Sequence, residues 1–264
     1  MNSALYHRLK GSPLYQLYLA LARRGLAEAR QREIAFYRDL LHEMHRGDMI
    51  FDIGANQGYK TDIFLRLGAR VVAVDPDEWN VRTLRETFLL GRLRPKPVAI
   101  VQAAVSACIG QATFYSDGDG GAKNTLSEKW VETLRHDPKR FGETLGFAKC
   151  TAVETTTLDA LIHRWGIPFY VKIDVEGHEE QVLLGLTQKV PYLSFEVNRP
   201  EFNDEGRRCL ARLRDGKFNF ACDVADGLAM KRWLGYEDFL RVFEALQSPS
   251  IEVFWKSNQT RLQT

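Results

Sequence analysis

The stretch Ile50-Phe51-Asp52-Ile53-Gly54-Ala55-Asn56-Gln57-Gly58 restricts the fold more than any other part of the chain. Ile50, Phe51 and Ile53 make a short apolar run suited to a parallel strand covered on both faces. Gly54 allows a sharp turn at the strand end, and Gly58 allows the backbone to approach a ligand or a neighbouring element closely. Lys60 to Leu67 opens a helix whose first N–H groups would point back at the turn. A strand, a glycine turn and a helix in this order form a cradle for a nucleotide or nucleoside.

Two features narrow the ligand. The third glycine of a dinucleotide loop is missing, since Thr61 stands three positions after Gly58. Asp52 places a negative charge at the strand end, which would repel a pyrophosphate and attract a cationic amino-acid group. Val71-Val72-Ala73-Val74-Asp75-Pro76 is a second apolar strand ending in an acid, 23 residues after Asp52. An acid about 20 residues on is where a ribose diol is gripped, and Asp75 is expected to accept both ribose hydroxyl hydrogens. S-adenosylmethionine carries an ammonium, a sulfonium, a ribose and no phosphate. It is the expected cofactor, with Asp52, Gly54, Ala55, Asn56, Gly58, Tyr59, Asp75, Pro76 and Ala104 around it. The plainer alternatives are a Rossmann-like unit with another ligand, or two ordinary buried strands.

From residue 48 onward strand and helix patterns alternate, which predicts an α/β fold: a Rossmann-like, seven-stranded, mostly parallel sheet with helices on both faces. The expected parallel strands are Met49 to Ile53, Arg70 to Val74, Pro97 to Ala103, Phe169 to Asp174 and Tyr192 to Val197. Phe218 to Val224 and Ile251 to Lys256, with a helix near Tyr236 to Leu246 between them, predict an antiparallel finish. Ala112 to Tyr115 and Cys150 to Thr156 read as an extra strand pair. Between them, 116–148 is the longest interruption, glycine- and charge-rich at Asp117-Gly118-Asp119-Gly120-Gly121, and is expected to be a lid or substrate insertion. Residues 1–47 form an expected helical arm before the domain at 48–264. Ala27 to His45 carries an apolar stripe at Ile34, Tyr37, Leu41 and Met44, suited to covering one end of the sheet. Leu14 to Ala22 suits packing on the domain, with peripheral membrane contact as the alternative. No apolar run approaches the roughly 20 residues that span a bilayer.

Composition excludes little but usefully. A formal charge of +2 over 264 residues argues against a dedicated nucleic-acid binder. The four cysteines, Cys108, Cys150, Cys209 and Cys222, form no C-x-x-C pair. They read as reduced, mostly buried thiols of a cytoplasmic protein. Oligomeric state is not legible.

A second motif carries the chemistry: Tyr170-Val171-Lys172-Ile173-Asp174-Val175-Glu176-Gly177-His178-Glu179. Lys172 and Asp174 lie two apart on one strand face. Charges inside an apolar strand are costly without partners. The first and fourth parallel strands are neighbours at the switch point of such sheets, so Asp174 should lie close to the methyl donor. Asp174 is the first candidate for general base or metal ligand. Glu176 or Glu196 would assist, and Lys172 would hold the carboxylates. His178 is a second candidate base or a solvent-facing helix start. A divalent metal held by Asp174 and Glu196 is the alternative to a carboxylate base. The structural alternative is an ion-pair network of Lys172 with Asp174 or Glu176.

The pairing of Phe51-Asp52-Ile53-Gly54-Ala55-Asn56-Gln57-Gly58-Tyr59 with Val171-Lys172-Ile173-Asp174-Val175-Glu176-Gly177-His178-Glu179 resembles the FkbM family of adenosylmethionine-dependent methyltransferases. Thr155-Thr156-Thr157-Leu158-Asp159-Ala160-Leu161 and Ala104-Val105-Ser106 are also similar. The resemblance covers about residues 48 to 200. The family's loop often has an apolar residue where Gln57 stands, and its acid after the second strand is commonly a glutamate where this chain has Asp75. The resemblance implies a class I methyltransferase fold. It also implies O-methylation of a hydroxyl on a saccharide, glycan, glycolipid or polyketide-type acceptor. A protein or nucleic-acid acceptor, or a non-catalytic nucleoside binder on the same fold, is the competing expectation. The absence of an N-P-P-Y type motif at Asp174-Val175-Glu176-Gly177 argues against base methylation.

Overall fold

The computed structural model describes residues 24–89, 97–137 and 145–258. The expected membrane-surface or packing segment, Leu14 to Ala22, lies outside them. The elements are α1 (Arg24–Leu40), β1 (Met49–Ile53), α2 (Tyr59–Arg66), β2 (Arg70–Asp75), α3 (Glu78–Leu84) continued by a π-helical turn (Arg85–Leu89), β3 (Ala99–Gln102), β4 (Ala104–Val105) and β5 (Gly110–Ser116). Then follow α4 (Glu128–His136), β6 (Lys149–Thr156), α5 (Leu158–Trp165), β7 (Tyr170–Ile173), α6 (Glu179–Leu184), β8 (Tyr192–Asn198), α7 (Asn203–Arg212), β9 (Lys217–Ala221), a 3-10 turn (Val224–Asp226), α8 (Tyr236–Ala245) and β10 (Ser250–Lys256).

Seven strands form one sheet in the order β3-β2-β1-β7-β8-β10-β9. The five strands from β3 to β8 are parallel, and β10 runs antiparallel to both β8 and β9. This is the predicted mostly parallel α/β sheet with an antiparallel finish. β1 and β7 are adjacent, with Asp52 opposite Lys172 and Ile53 opposite Ile173, so both motifs end at the same edge. The extra strands β5 and β6 pair antiparallel, as expected, and β4 joins them in a separate three-stranded sheet.

The alternation of the central strands divides the core in two. Phe51, Ile53, Val171, Ile173, Leu193 and Phe195 pack on one face with α4, α5, α6, α7 and α8. Ile50, Val71, Ala73, Tyr170 and Phe254 pack on the other with α1 and α2. Burying these strands on both faces is what makes their near-continuous apolar runs stable.

Three expectations need correcting. The arm helix ends at Leu40, short of His45, and covers a face of the sheet rather than one end. Tyr37 meets Phe64 at 5.1 Å and Tyr170 at 6.3 Å between ring centroids, and Phe36 meets Phe254 at 5.2 Å. The aromatic stripe finds more apolar area on the face than the edge offers. The stretch read as the third strand is shorter, because Ala104 leaves the main sheet to pair with Thr155. Among the cysteines only Cys209 is buried; Cys108, Cys150 and Cys222 are exposed. All four are free thiols. No described helix is long and apolar enough to cross a membrane.

Candidate active site

The glycine turn is shaped first by packing. Gly54 has φ +78°, and a Cβ there would collide with the carbonyl oxygen of Asp174. The missing side chain is what brings the ends of β1 and β7 together. Gly54 and Ala55 both donate their N–H to the Val74 carbonyl, at 2.9 and 3.0 Å, tying the turn to β2. Gly58 has φ +85° and starts α2; a Cβ there would strike Phe88 and Leu84. Of the two uses expected for Gly58, the close approach of a neighbouring element is the one observed.

The turn opens on a cavity of about 680 Å³, a usual size for a small-molecule site. It is bordered by Asp52, Gly54, Ala55, Asn56, Gly58, Tyr59, Asp75, Pro76 and Ala104, and by Lys172, Asp174, Glu176 and His178. Glu196 does not border it. Its carboxylate accepts from the Ser250 hydroxyl at 2.6 Å, and one of its oxygens lies within 4.8 Å of oxygens of Asp174 and Glu176.

Asp52 is buried, 1% exposed. Thr61 Oγ1 donates to its Oδ2 at 2.5 Å. Burial raises its pKa, against the pull of Lys172 and Thr61. Thr61, the residue that replaces the third loop glycine, therefore has a specific partner. Asp75 accepts from the Asn56 N–H at 2.7 Å, the Asp77 N–H at 2.9 Å and Asn80 Nδ2 at 3.1 Å. Burial pushes its pKa up to about 6 against these bonds. A carboxylate offers about four lone-pair sites, so three occupied sites leave room for one ribose hydroxyl rather than two. The neighbouring Asn80 Oδ1 is buried and has no hydrogen-bond partner among the described residues, and Asn80 borders the cavity. A buried acceptor without a donor is costly, and a hydroxyl-bearing ligand would satisfy it. Asp75 and Asn80 together fit a ribose diol.

At the other edge, Lys172 Nζ donates to Asp174 Oδ2 at 2.8 Å. Lys172 is almost fully buried, whereas the Asp174 side chain is 38% exposed. Burial acts to neutralise Lys172, but Asp174, Glu252 and Asp52 outweigh it and hold the ammonium charged. Burial likewise raises Asp174, but Lys172 and then Lys123 pull its pKa below the usual carboxylate range. Glu176 sits in a left-handed backbone position, φ +52°, before Gly177 at φ +90°. Its Oε1 accepts from Lys123 Nζ at 2.9 Å, and its Oε2 is buried without a partner among the described residues. Burial, followed by Glu196, pushes its pKa up to about 8. His178 precedes α6 with Nε2 3.0 Å from Ser106 Oγ. Burial lowers its pKa to about 4, which keeps the ring neutral. It is half-buried on the cavity wall, not a solvent-facing helix start.

The insertion at 116–148 supplies partners that the motifs did not reveal. Asp77 caps α3 and also accepts from the Gly120 N–H at 3.2 Å and Asn124 Nδ2 at 2.9 Å. Thr125 Oγ1 donates to the Glu176 carbonyl at 2.7 Å. The segment 120–125 thus bridges the end of β2 to the end of β7 and forms part of the cavity wall. Asp77 carried a legible signal, an acid just before a helix. Asn80, Lys123 and Thr125 carried none.

The sequence from 52 to 239, more than half of the chain, matches the family model described as the methyltransferase FkbM domain. No curated protein is significantly similar to the chain. Among solved structures, a TehB-like SAM-dependent methyltransferase from Corynebacterium glutamicum is 10% identical with a TM-score of 0.42, covering 94% of this chain and 100% of its own. A SAM-dependent methyltransferase from Agrobacterium tumefaciens is 10% identical with a TM-score of 0.41, over 86% of this chain and 62% of its own. The plantazolicin methyltransferase BpumL, in complex with SAH and a triazolic analogue, is 12% identical with a TM-score of 0.39, over 96% and 95%. These likenesses are slight, and the assignment rests on the domain match: the chain belongs to the FkbM family of S-adenosylmethionine-dependent methyltransferases.

Proposed function

We propose that this methyltransferase acts on a hydroxyl oxygen of a saccharide, glycan, glycolipid or polyketide-type acceptor, with Asp174 as the group that takes the hydroxyl proton. The observation that carries this reading is the contrast between two carboxylates at one edge of the cavity. Asp174 is held ionised and half-exposed beside Lys172, while Glu176 is buried with its pKa raised to about 8. Environments that push neighbouring carboxyl groups apart assign the base and the acid.

The cofactor, when bound, supplies a methyl group on a sulfonium, which a nucleophilic oxygen can take. Asp75 and Asn80 would hold the ribose, and the backbone from Gly54 to Gly58 would face the rest. Lys172 fixes Asp174 through Oδ2 and leaves Oδ1 for the acceptor proton. Positioning of the two reactants supplies most of the acceleration, and general-base help adds typically about 10²–10⁴-fold. Asp174→Asn should retain binding of S-adenosylhomocysteine and lose turnover by about that factor; unchanged turnover would remove Asp174 from the mechanism.

A divalent cation is the second reading, favoured by the approach of Asp174, Glu176 and Glu196 oxygens to within 4.8 Å. A cation there would compete with the Lys123 ammonium for Glu176 and would itself lower the acceptor's pKa. Activity unchanged by EDTA would eliminate an exchangeable ion.

A further inference from the structure

We infer that Arg30, on the arm helix and outside the matched family domain, is the cofactor's carboxylate-binding residue. The inference rests on the S-adenosylmethionine reading of the cavity. That ligand carries both an α-ammonium and an α-carboxylate, so the cavity must offer a cation as well as acids.

Three cationic side chains border the cavity among the described residues: Arg30, Lys60 and Lys172. Lys172 is buried and committed to Asp174. Lys60 donates to Glu33 Oε2 at 2.8 Å. Arg30 bonds Asp62 through Nη2 alone. A guanidinium has five N–H donors in a plane, so the second Nη2 hydrogen and that of Nη1 or Nε can together take a bidentate partner beside Asp62. Its plane is already held: the Arg30 guanidinium carbon lies 4.6 Å from the Tyr59 ring centroid. Such stacking fixes orientation at little entropic cost.

The surroundings favour an anion. Arg30 shares the single carboxylate of Asp62 with Arg66, while Lys60 pairs with Glu33, so Arg30 is not neutralised by an acid of its own. Tyr59 and Lys60 open α2, whose preceding residue, Gly58, provides no side-chain cap. The dipole of α2 adds to the attraction, although Asp62 in its first turn shares it. Asp52 and Asp174 border the same cavity, so it offers acids for an α-ammonium as well as a cation for an α-carboxylate. The sequence pattern hides this, because Arg30 is one of several arginines in a charged arm and lies 22 residues before Asp52.

The test compares two ligands by calorimetry on the full chain. S-adenosylhomocysteine has the carboxylate; 5′-methylthioadenosine lacks the whole amino-acid end. Arg30→Met keeps the apolar stem and removes the charge. The expected result is a loss of about 10- to 100-fold in affinity for S-adenosylhomocysteine, the range of a charge-assisted hydrogen bond, with 5′-methylthioadenosine unchanged. Arg30→Lys should recover part of the loss. Equal losses for both ligands, or none for either, would overturn the inference. Should Arg30→Met fail to fold, the wild-type protein decides with the carboxyl methyl ester of S-adenosylhomocysteine, which should bind at least about 10-fold more weakly than the acid; equal binding would overturn it. If the wild-type protein binds none of these ligands, the cofactor reading itself is at fault.

Discussion

Replacing Lys172 by methionine tests how the Lys172–Asp174 pair is held together. Lys172 lies opposite Asp52 in the sheet, donates to Asp174 at 2.8 Å and is 3% exposed. Removing one partner of a fully buried ion pair costs about 3–5 kcal/mol, because the other is left unpaired. Here Asp174 is 38% exposed and recovers part of its hydration, so the expected loss falls to about 2–3 kcal/mol. Urea unfolding of Lys172→Met, Asp174→Asn and the double variant measures it. If the pair is the source, the double variant should be more stable than the additive sum by about 1–2 kcal/mol. The same substitution should raise the Asp174 pKa and move the acidic limb of the pH–rate profile to higher pH, since the ionised form loses its chief stabiliser. Additivity within about 0.5 kcal/mol, together with an unmoved acidic limb, would refute the claim that Lys172 sets the charge state of Asp174.

Gly54→Ala should abolish cofactor binding and destabilise the fold, since its Cβ would meet the Asp174 carbonyl at a positive φ; calorimetry and thermal melting read both effects. Glu176 and Glu179 both have folded pKa values raised to about 8, chiefly by burial, above ordinary values near about 4.3. Between those values the folded state binds more protons than the unfolded one, so stability should be greatest at the acid end of the window and fall as pH rises towards 8; denaturant midpoints across that range check it. Asn80→Ala should weaken S-adenosylhomocysteine binding by about 10-fold, one hydrogen bond to a buried acceptor together with loss of support for Asp75.

Most of the fold was legible because its signals are local. Apolar runs such as Ile50 to Ile53 and Val71 to Val74 can only be strands buried on both faces, and the β1–β7 adjacency follows from the switch in strand order. Thr157, a hydroxyl residue just before a helix, caps α5 by the same local logic, its Oγ1 accepting from the Ala160 N–H at 3.0 Å. What escaped the sequence depends on contacts between distant segments. Asn80 matters because Asp75 turns one face of it into an orphaned acceptor, and Lys123 because the insertion folds back onto Glu176, 53 residues away. Asp75 was legible as an acid ending a strand, but its three bonds to Asn56, Asp77 and Asn80 were not. The end of the arm helix was misplaced for a similar reason. Leu41 and Met44 keep the helical spacing, yet the chain must turn there to reach Gly47, φ +94°, and enter β1.

Methyl transfer to oxygen at the Asp174 edge would leave a methoxy group on the acceptor. The most direct measurement supplies the protein with S-adenosylmethionine carrying an isotopically labelled methyl group and a pool of glycans and glycolipids, and locates the label by NMR. The expected product is a labelled methoxy carbon on a hydroxyl-bearing acceptor, formed by the wild-type protein and lost in Asp174→Asn. Label on nitrogen or carbon, or labelled methoxy product at an equal rate with Asp174→Asn, would contradict it.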